Sequence, residues 1–389
     1  MAFLDRYSYF SPTRLIVGRG ATDQVAESLK SKGLKKPLIV TDAGLVKAGL
    51  VERVTGELDE ASIATSIYDG VEPNPPISSV EGCVEQYRSG GCDSLVAVGG
   101  GSSMDTAKTA GVVLTNGGKI QDYFRARGGA DNLKERIPYL VCVATTYGTG
   151  SEVTPFAVVT DEHHYKDAVA GPQIIPDVGI LDSEMAVALP FPIAGATGMD
   201  ALTHAIECFT NLRSNPISDG LASQAIRMIS DNLRQAAAND HNHDATEQML
   251  VASALAALAF SQTLLGNVHA MSHPVSGHFG VPHGVANAIL LTRVMEFNLI
   301  ACPDKYAQVA VAMGEDVEDL DDMTAGMAAV EAVASLGEDV GIPGTLSEVG
   351  VSAGQLGVLC EDSMRSANIA MNPRKTTIED VRRIYEAAL

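Results

Sequence analysis

The six cysteines, at positions 83, 92, 142, 208, 302 and 360, form no C-x-x-C pair, so reduced thiols are expected. The opening MAFLDRYSYF has neither the basic flank nor the apolar run of a secretory signal, and a cytoplasmic address is expected. Positive charge is scarce: 27 Lys and Arg against 48 Asp and Glu leave a net charge of -21 and a pI of about 4.7. With no basic stripe to offset that field, a polyanion is repelled, which argues against nucleic acid as a partner. Long hydrophobic runs are nearly absent as well. The nearest, residues 249–266 (MLVASALAALAFSQTLLG), is rich in Ala and Ser and runs straight into a histidine cluster. It has no Lys/Arg asymmetry or aromatic belt, so a buried helix is expected there and no membrane partner. No internal repeat or low-complexity tract is present.

What remains is a chain of 389 residues that is 46% hydrophobic, enough for a large core and, by length, two domains. Between about residues 38 and 181, PLIVTD, SLVAVGGG, PYLVCVATT and VGILD read as buried parallel strands alternating with helical patterns. Beyond Asp182 the strand signals stop and Ala, Leu and Met recur at helical spacing. The expectation is an α/β N-terminal domain over residues 1–185 and an all-α C-terminal domain over 186–389. In open α/β sheets ligands sit beyond the carboxyl ends of the strands. Asp42, Gly99, Gly100, Gly101, Thr145 and Thr146 fall there.

In SLVAVGGGSSMDTAK a strand meets three glycines, then Ser102, then a helix expected from Met104. Residues without side chains let backbone N–H groups approach a pyrophosphate, and the helix N-terminus faces the charge. The loop is neither G-x-G-x-x-G nor a Walker loop. Glycines at a strand end also make plain tight turns. Asp42 admits two readings: it accepts from an adenosine ribose and repels a 2′-phosphate, favouring NAD over NADP, or it caps the following turn.

The second constellation is polar. In GMDALTHAIE the D-x-x-x-H spacing puts Asp200 and His204 one turn apart on one helix face. Downstream, HAMSHPVSGHFGVPHGVANA carries His269, His273, His278 and His283. One carboxylate with three neutral imidazoles suits a divalent first-row ion and leaves it net positive charge and open positions. Spacing alone leaves His273 open as a ligand. His163, His164, His241 and His243 lie in polar stretches and receive no function, and Cys208 reads as a core thiol.

Taken with FSPTRLIVGRGA at 10–21, EPNP at 72–75, TTYGTGSE at 145–152 and NPR at 372–374, these motifs give the chain its family resemblance. It resembles, over almost its whole length, the iron-containing (group III) alcohol dehydrogenases, the family of lactaldehyde reductase and 1,3-propanediol dehydrogenase. The resemblance implies a dehydroquinate synthase-like fold and a metal-dependent, NAD(H)-linked alcohol dehydrogenase or aldehyde reductase, with a homodimer or larger assembly. It assigns the metal, usually iron and sometimes zinc, to Asp200, His204, His269 and His283. It places His273 near the substrate rather than on the ion; as hydride passes to nicotinamide, His273, as a catalytic residue, or the cofactor ribose is expected to relay the proton. For the cofactor it implicates Asp42, Asn74, Gly100, Gly101, Ser102, Asp105, Thr145, Thr146 and Lys166, to which the glycine loop adds Gly99.

Departures fall around the expected substrate pocket. Tyr147 stands where the family usually has Ala. His278 and Gly280 lie in a stretch that commonly reads aromatic-Tyr-Asp, and Asn368 is near a frequent Cys. Phe156 and Phe260 fit pocket-lining positions. Two alternatives remain open at this point: a glycerol-dehydrogenase-type polyol enzyme, and a dehydroquinate-synthase-like lyase that uses NAD without net turnover.

Overall fold

A computed structural model describes residues 6–162 and 165–389; His163 and His164 lie outside them. The chain divides into two compact units. One consists of Ser11–Thr146 and Gly150–Ala188; the other takes Leu189–Leu389, Tyr147–Thr149 and the described part of residues 1–10.

The first unit is built on six parallel strands: β1 (Arg14–Val17), β2 (Pro37–Val40), β3 (Ser66–Tyr68), β4 (Ser94–Gly99), β5 (Leu140–Ala144) and, after a hairpin, β8 (Val178–Leu181). The hairpin pairs β6 (Phe156–Thr160) with β7 (Lys166–Ala170) antiparallel. The sheet order is β1-β8-β5-β4-β2-β3. Every residue of β2, β4, β5 and β8 is buried, as near-continuous apolar runs in a parallel sheet covered on both faces require. The covering helices are α1 (Gln24–Lys30), α2 (Ala43–Lys47), α3 (Leu50–Glu60), α4 (Ile77–Gly90), α5 (Gly101–Asn116) and α6 (Ser183–Ala186). One core joins Val25, Leu29, Val54 and Leu58 of the helices to Ile39, Val96, Val98, Val141 and Ile180 of the strands.

That strand order has a functional consequence. From β2 the chain steps outward to β3, then crosses back to β4 on the other flank of β2. The order therefore reverses between β2 and β4, and the crevice at their carboxyl ends is where such sheets take ligands. Asp42 follows β2 there, and Gly99, Gly100 and Gly101 follow β4.

The second unit is helical: α7 (Phe191–Thr210), α8 (Pro216–Ala238), α9 (His243–Thr263), α10 (Asn267–Phe279), α11 (His283–Leu299), α12 (Pro303–Met313), α13 (Asp322–Asp339), α14 (Leu356–Arg365) and α15 (Ile378–Ala388). Buried faces of α7, α8 and α9 pack on one another, and α11 packs on α7 and α13. The apolar run 249–266 ends α9, which is buried along most of its length. Among the described residues no single helix is long and apolar enough to cross a membrane, and α9 meets α10 at a 105° bend.

The NPR motif fastens this unit. Asn372 and Asn298 exchange amide hydrogen bonds of 2.7 and 3.0 Å, Asn372 Oδ1 also accepts from Asn267 N at the start of α10, and Arg374 donates to Phe297 O at 2.7 Å. Buried amides that satisfy each other specify one arrangement of the segments that carry them.

Candidate functional site

The glycine loop opens α5. Gly99 has φ 154° and Gly100 is the helix N-cap, with no side chain accepting from the first turn. A Cβ on Gly99 would run into Ser103, and one on Gly100 would lie 2.8 Å from Thr146 Oγ1. The helix end therefore presents uncapped N–H groups from Gly101 onward behind a strip of bare backbone, an anion cradle by construction. A pyrophosphate fits it. Thr145 N donates to Gly99 O at 3.1 Å, which holds the two strand ends together.

Other residues expected at the cofactor have defined local roles. Asp42 is the N-cap of α2 and its Oδ1 accepts from Leu45 N at 3.0 Å, so the capping reading is realised at the switch point itself. Asn74, in EPNP, has φ 51°, a left-handed conformation that Asn tolerates better than most residues. Its carbonyl accepts from Thr160 Oγ1 at 3.0 Å, tying the motif to β6. Asp105 spends both oxygens on protein, Ser151 Oγ at 2.8 Å and Val158 N at 3.0 Å. Lys166 starts β7 opposite Thr160. Ser102 lies in the first turn of α5 and is partly buried.

Sequence reasoning missed Lys108. Its side chain is fully buried, and its ammonium donates to Ser151 Oγ at 2.9 Å, Thr154 O at 3.0 Å, Thr154 Oγ1 at 3.1 Å and Phe156 O at 2.8 Å. A buried charge is tolerable only with such a set of acceptors. Together Asp105 and Lys108 pin the segment after β5 to α5. Phe156 begins β6 in this unit.

In the helical unit α7 presents Asp200 and His204 on one face, as their spacing predicts. Asp200 Oδ1 is the hub: His204 Nε2 and His269 Nε2 lie 3.9 Å from it and His283 Nε2 3.8 Å. Ligand atoms of Asp200, His269 and His283 all fall within 4.8 Å of one another. His204 stands beside this trio, its ring stacked on His269 with centroids 4.6 Å apart. His204 Nδ1 faces Gly148 O at 3.3 Å, contributed by the Tyr147–Thr149 excursion. The His273 ring is 6.0 Å from His269 and 5.2 Å from His283, near the trio and outside it.

Two further side chains complete the cluster. Asn287, one turn after His283 on α11, donates from Nδ2 to Asp200 Oδ1 at 2.6 Å and lies 3.1 Å from the Nε2 atoms of both His269 and His283. Among the described residues its buried Oδ1 has no hydrogen-bond partner. Glu207, three residues after His204, accepts from Val268 N at 2.6 Å and His269 N at 3.4 Å and meets His269 Nδ1 at 2.6 Å. Burial pushes its carboxyl up to about 7, while N–H bonds from Gly266, Val268 and His269 pull it down. Both residues were legible by spacing, as D-x-x-x-H-x-x-E and H-x-x-x-N, each on one helical face.

A first-row divalent ion fits this donor set. One carboxylate oxygen and three imidazole nitrogens converge on a buried point, and the donor now sitting among them is the neutral Asn287 amide rather than a Lys or Arg.

The residues expected around substrate divide. Phe260 is buried and its ring lies 4.6 Å from that of His204. Tyr147 is fully buried, and among the described residues its hydroxyl has no hydrogen-bond partner; burial pushes its pKa up, so it remains a donor. His278 instead meets Asp362 on α14, Nε2 to Oδ2 2.7 Å. Asn368 lies in a short 3-10 turn packed on α10, its N–H directed at Ser366 Oγ. Cys208 is fully buried, which pushes its thiol up to about 12.

Known proteins share both halves. Residues 12–183 match the family model for iron-containing alcohol dehydrogenase, and residues 194–389 match that for the Fe-containing alcohol dehydrogenase family, C-terminal. The chain is 40% identical over 385 residues to 1,3-propanediol dehydrogenase of Citrobacter freundii, covering 98% of each. Its fold matches a crystal structure of 1,3-propanediol oxidoreductase with TM-score 0.95 and 39% identity, over 99% of this chain and 100% of that one. A sulfoacetaldehyde reductase from Bifidobacterium kashiwanohense, solved in complex with NAD+, matches with TM-score 0.88 and 29% identity over 98% of both chains. These relatives are dehydrogenases or reductases, and the lyase alternative is not favoured. The chain therefore belongs to the iron-containing alcohol dehydrogenase family, as an alcohol dehydrogenase or aldehyde reductase.

Proposed function

We propose that this enzyme is an NAD(H)-linked dehydrogenase of small alcohols and the corresponding aldehydes, with an ion, iron or alternatively zinc, held by Asp200, His204, His269 and His283. The observation that carries the reading is the convergence of three imidazole Nε2 atoms to within 3.9 Å of one carboxylate oxygen. When bound, the ion supplies Lewis acidity that polarises an alcohol or carbonyl oxygen, and nicotinamide supplies the hydride acceptor or donor.

The protein's own part is binding, orientation and proton handling. His273, whose ring stands 5.2 Å from that of His283, takes the hydroxyl proton in oxidation and returns it in reduction, a task for which an imidazole, with one nitrogen to accept and one to donate, is suited. Phe260 gives the site an apolar wall against His204. Tyr147 brings a buried hydroxyl able to donate to a second oxygen on the substrate. Gly99, Gly100, Gly101 and Ser102 cradle the pyrophosphate, with Thr145, Thr146, Asn74, Asp105 and Lys166 shaping its surroundings. Asp42 at the switch point disfavours a 2′-phosphate, hence NAD over NADP. Phe156, His278 and Asn368 remain pocket candidates by family position.

The same reading gives a cytoplasmic enzyme that assembles as a homodimer or larger homo-oligomer, with no nucleic-acid or membrane partner. Six free thiols support the cytoplasmic address and a net charge of -21 the exclusion of nucleic acid. The test is nicotinamide reduction by metal-stripped protein reloaded with Fe²⁺ or Zn²⁺ across alcohols, diols and hydroxy acids. Metal-dependent NADH formation, faster with NAD+ than with NADP+, is expected. Metal binding without reduction of either cofactor overturns the reading.

A further inference from the structure

The four residues expected to hold the ion do not explain why Glu207 is buried beside one of them. Both side chains are almost inaccessible, His269 at 1% and Glu207 at 5%. Glu207 Oε1 accepts from Val268 N, and Oε2 meets His269 N and His269 Nδ1. With Asn372 Oδ1 on Asn267 N, two remote side chains cap the first turn of α10, the helix that carries His269 and His273. The close approach is built in: a Cβ at Gly266 would lie 2.9 Å from Glu207 Oε1.

Two contacts assign one tautomer to His269. Both Glu207 oxygens already accept backbone N–H bonds, from Val268 and His269, which assigns the proton in the 2.6 Å contact to Nδ1. An amide nitrogen, Asn287 Nδ2, stands 3.1 Å from Nε2, which requires a lone pair there. His204 is oriented by the neutral Gly148 carbonyl; His269 by a carboxylate, the stronger acceptor.

We propose that Glu207 is a positioning residue of the metal centre: by holding His269 in its Nδ1–H form and anchoring the start of α10, it sets the affinity of the ion. This rests on the metal site proposed above. The pairing follows the general logic of carboxylate partners behind metal-binding imidazoles, whose loss costs about 10–100-fold in affinity. The variant Glu207→Gln keeps the size and one acceptor and places an amide donor against either Nδ1 or the helix N–H groups.

The experiment is chelator competition for Zn²⁺ on wild type, Glu207→Gln, His269→Ala and the double variant, with circular dichroism and NAD+ binding followed in parallel. The expected result is a Zn²⁺ dissociation constant raised about 10–100-fold in Glu207→Gln with helix content and NAD+ binding kept. Glu207→Gln should add little once His269 is gone, as coupled residues are not additive. Equal Zn²⁺ affinity in wild type and Glu207→Gln, or a full additive loss in the double variant, overturns the proposal. Failure of wild type to bind Zn²⁺ overturns the metal site instead, a distinguishable outcome. Independently of any variant, the imidazole ¹⁵N shifts of His269 in metal-free wild type should report Nδ1 protonated and Nε2 bare. The opposite tautomer also overturns the role.

Discussion

Asn287 Nδ2 lies 2.6 Å from Asp200 Oδ1 and 3.1 Å from the Nε2 atoms of both His269 and His283. The amide ties three acceptor side chains, Asp200, His269 and His283, together in the metal-free protein. Replacing it by Asn287→Asp removes the donor and sets a second carboxylate against Asp200, a like-charge buried contact. The metal-free variant should unfold at a lower temperature than wild type, and Zn²⁺ should raise its midpoint by more than it raises that of wild type. Thermal unfolding with and without Zn²⁺ checks this; an unchanged metal-free midpoint contradicts it.

The glycine cradle makes a separate prediction. In Gly100→Ala the new Cβ meets Thr146 Oγ1 at 2.8 Å and stands where a pyrophosphate approaches. Calorimetry should show NAD+ affinity reduced at least tenfold while Zn²⁺ affinity stays as in wild type. The overpacking itself should cost about 1–3 kcal/mol.

Tyr147 offers a test of substrate preference that separates stability from binding. Among the described residues its buried hydroxyl has no hydrogen-bond partner, so Tyr147→Phe should be neutral or stabilise by about 1 kcal/mol in urea unfolding, since an unsatisfied buried donor is costly. If the hydroxyl serves substrate, KM for diols or hydroxy acids should rise relative to simple alcohols. A clear loss of stability would show a partner within the protein.

Glu152, buried against Gly179 of β8, predicts a pH dependence. Burial pushes it from 4.5 up to about 7, with Lys108 pulling it back. Because the folded state binds this proton more tightly than the unfolded chain, its contribution is full below about pH 4.5 and is lost as pH rises through 7. The difference amounts to roughly 3 kcal/mol. Glu152→Gln should therefore be more stable than wild type at pH 8 and nearly equal to it at pH 4. Denaturant midpoints at those two pH values decide it; parallel curves for the two proteins would contradict the assignment.

Legibility in the sequence followed burial. β2, β4, β5 and β8 are fully buried, so their apolar runs stand out, and the helical second unit declares itself once strand runs cease. β1 and β3 are short and partly exposed, leaving no run to read. The β6–β7 hairpin alternates intermediate and buried residues, a period of two that the surrounding α/β pattern obscured. Nothing local marks Tyr147, Gly148 and Thr149 as joining the helical unit, because that excursion is decided by tertiary contacts such as Gly148 O with His204. At the site, Asp200 and His204 were readable as one helical face. That Asp42 caps α2 was one of its two readings, since its partner Leu45 is three residues on; that Asp105 serves Ser151 and Val158, and that His278 reaches Asp362, depend on partners distant in sequence, for which periodicity carries no signal.

The central claim, that the Asp200 and histidine cluster holds an ion needed for hydride transfer, is tested most directly by titrating metal-stripped wild type and His269→Ala with Fe²⁺ or Zn²⁺ while recording NADH formation and NAD+ binding. One equivalent of metal should restore NADH formation in wild type, and none should restore it in His269→Ala although NAD+ still binds. Full NADH formation by the stripped protein, or unchanged metal binding in His269→Ala, would contradict the account.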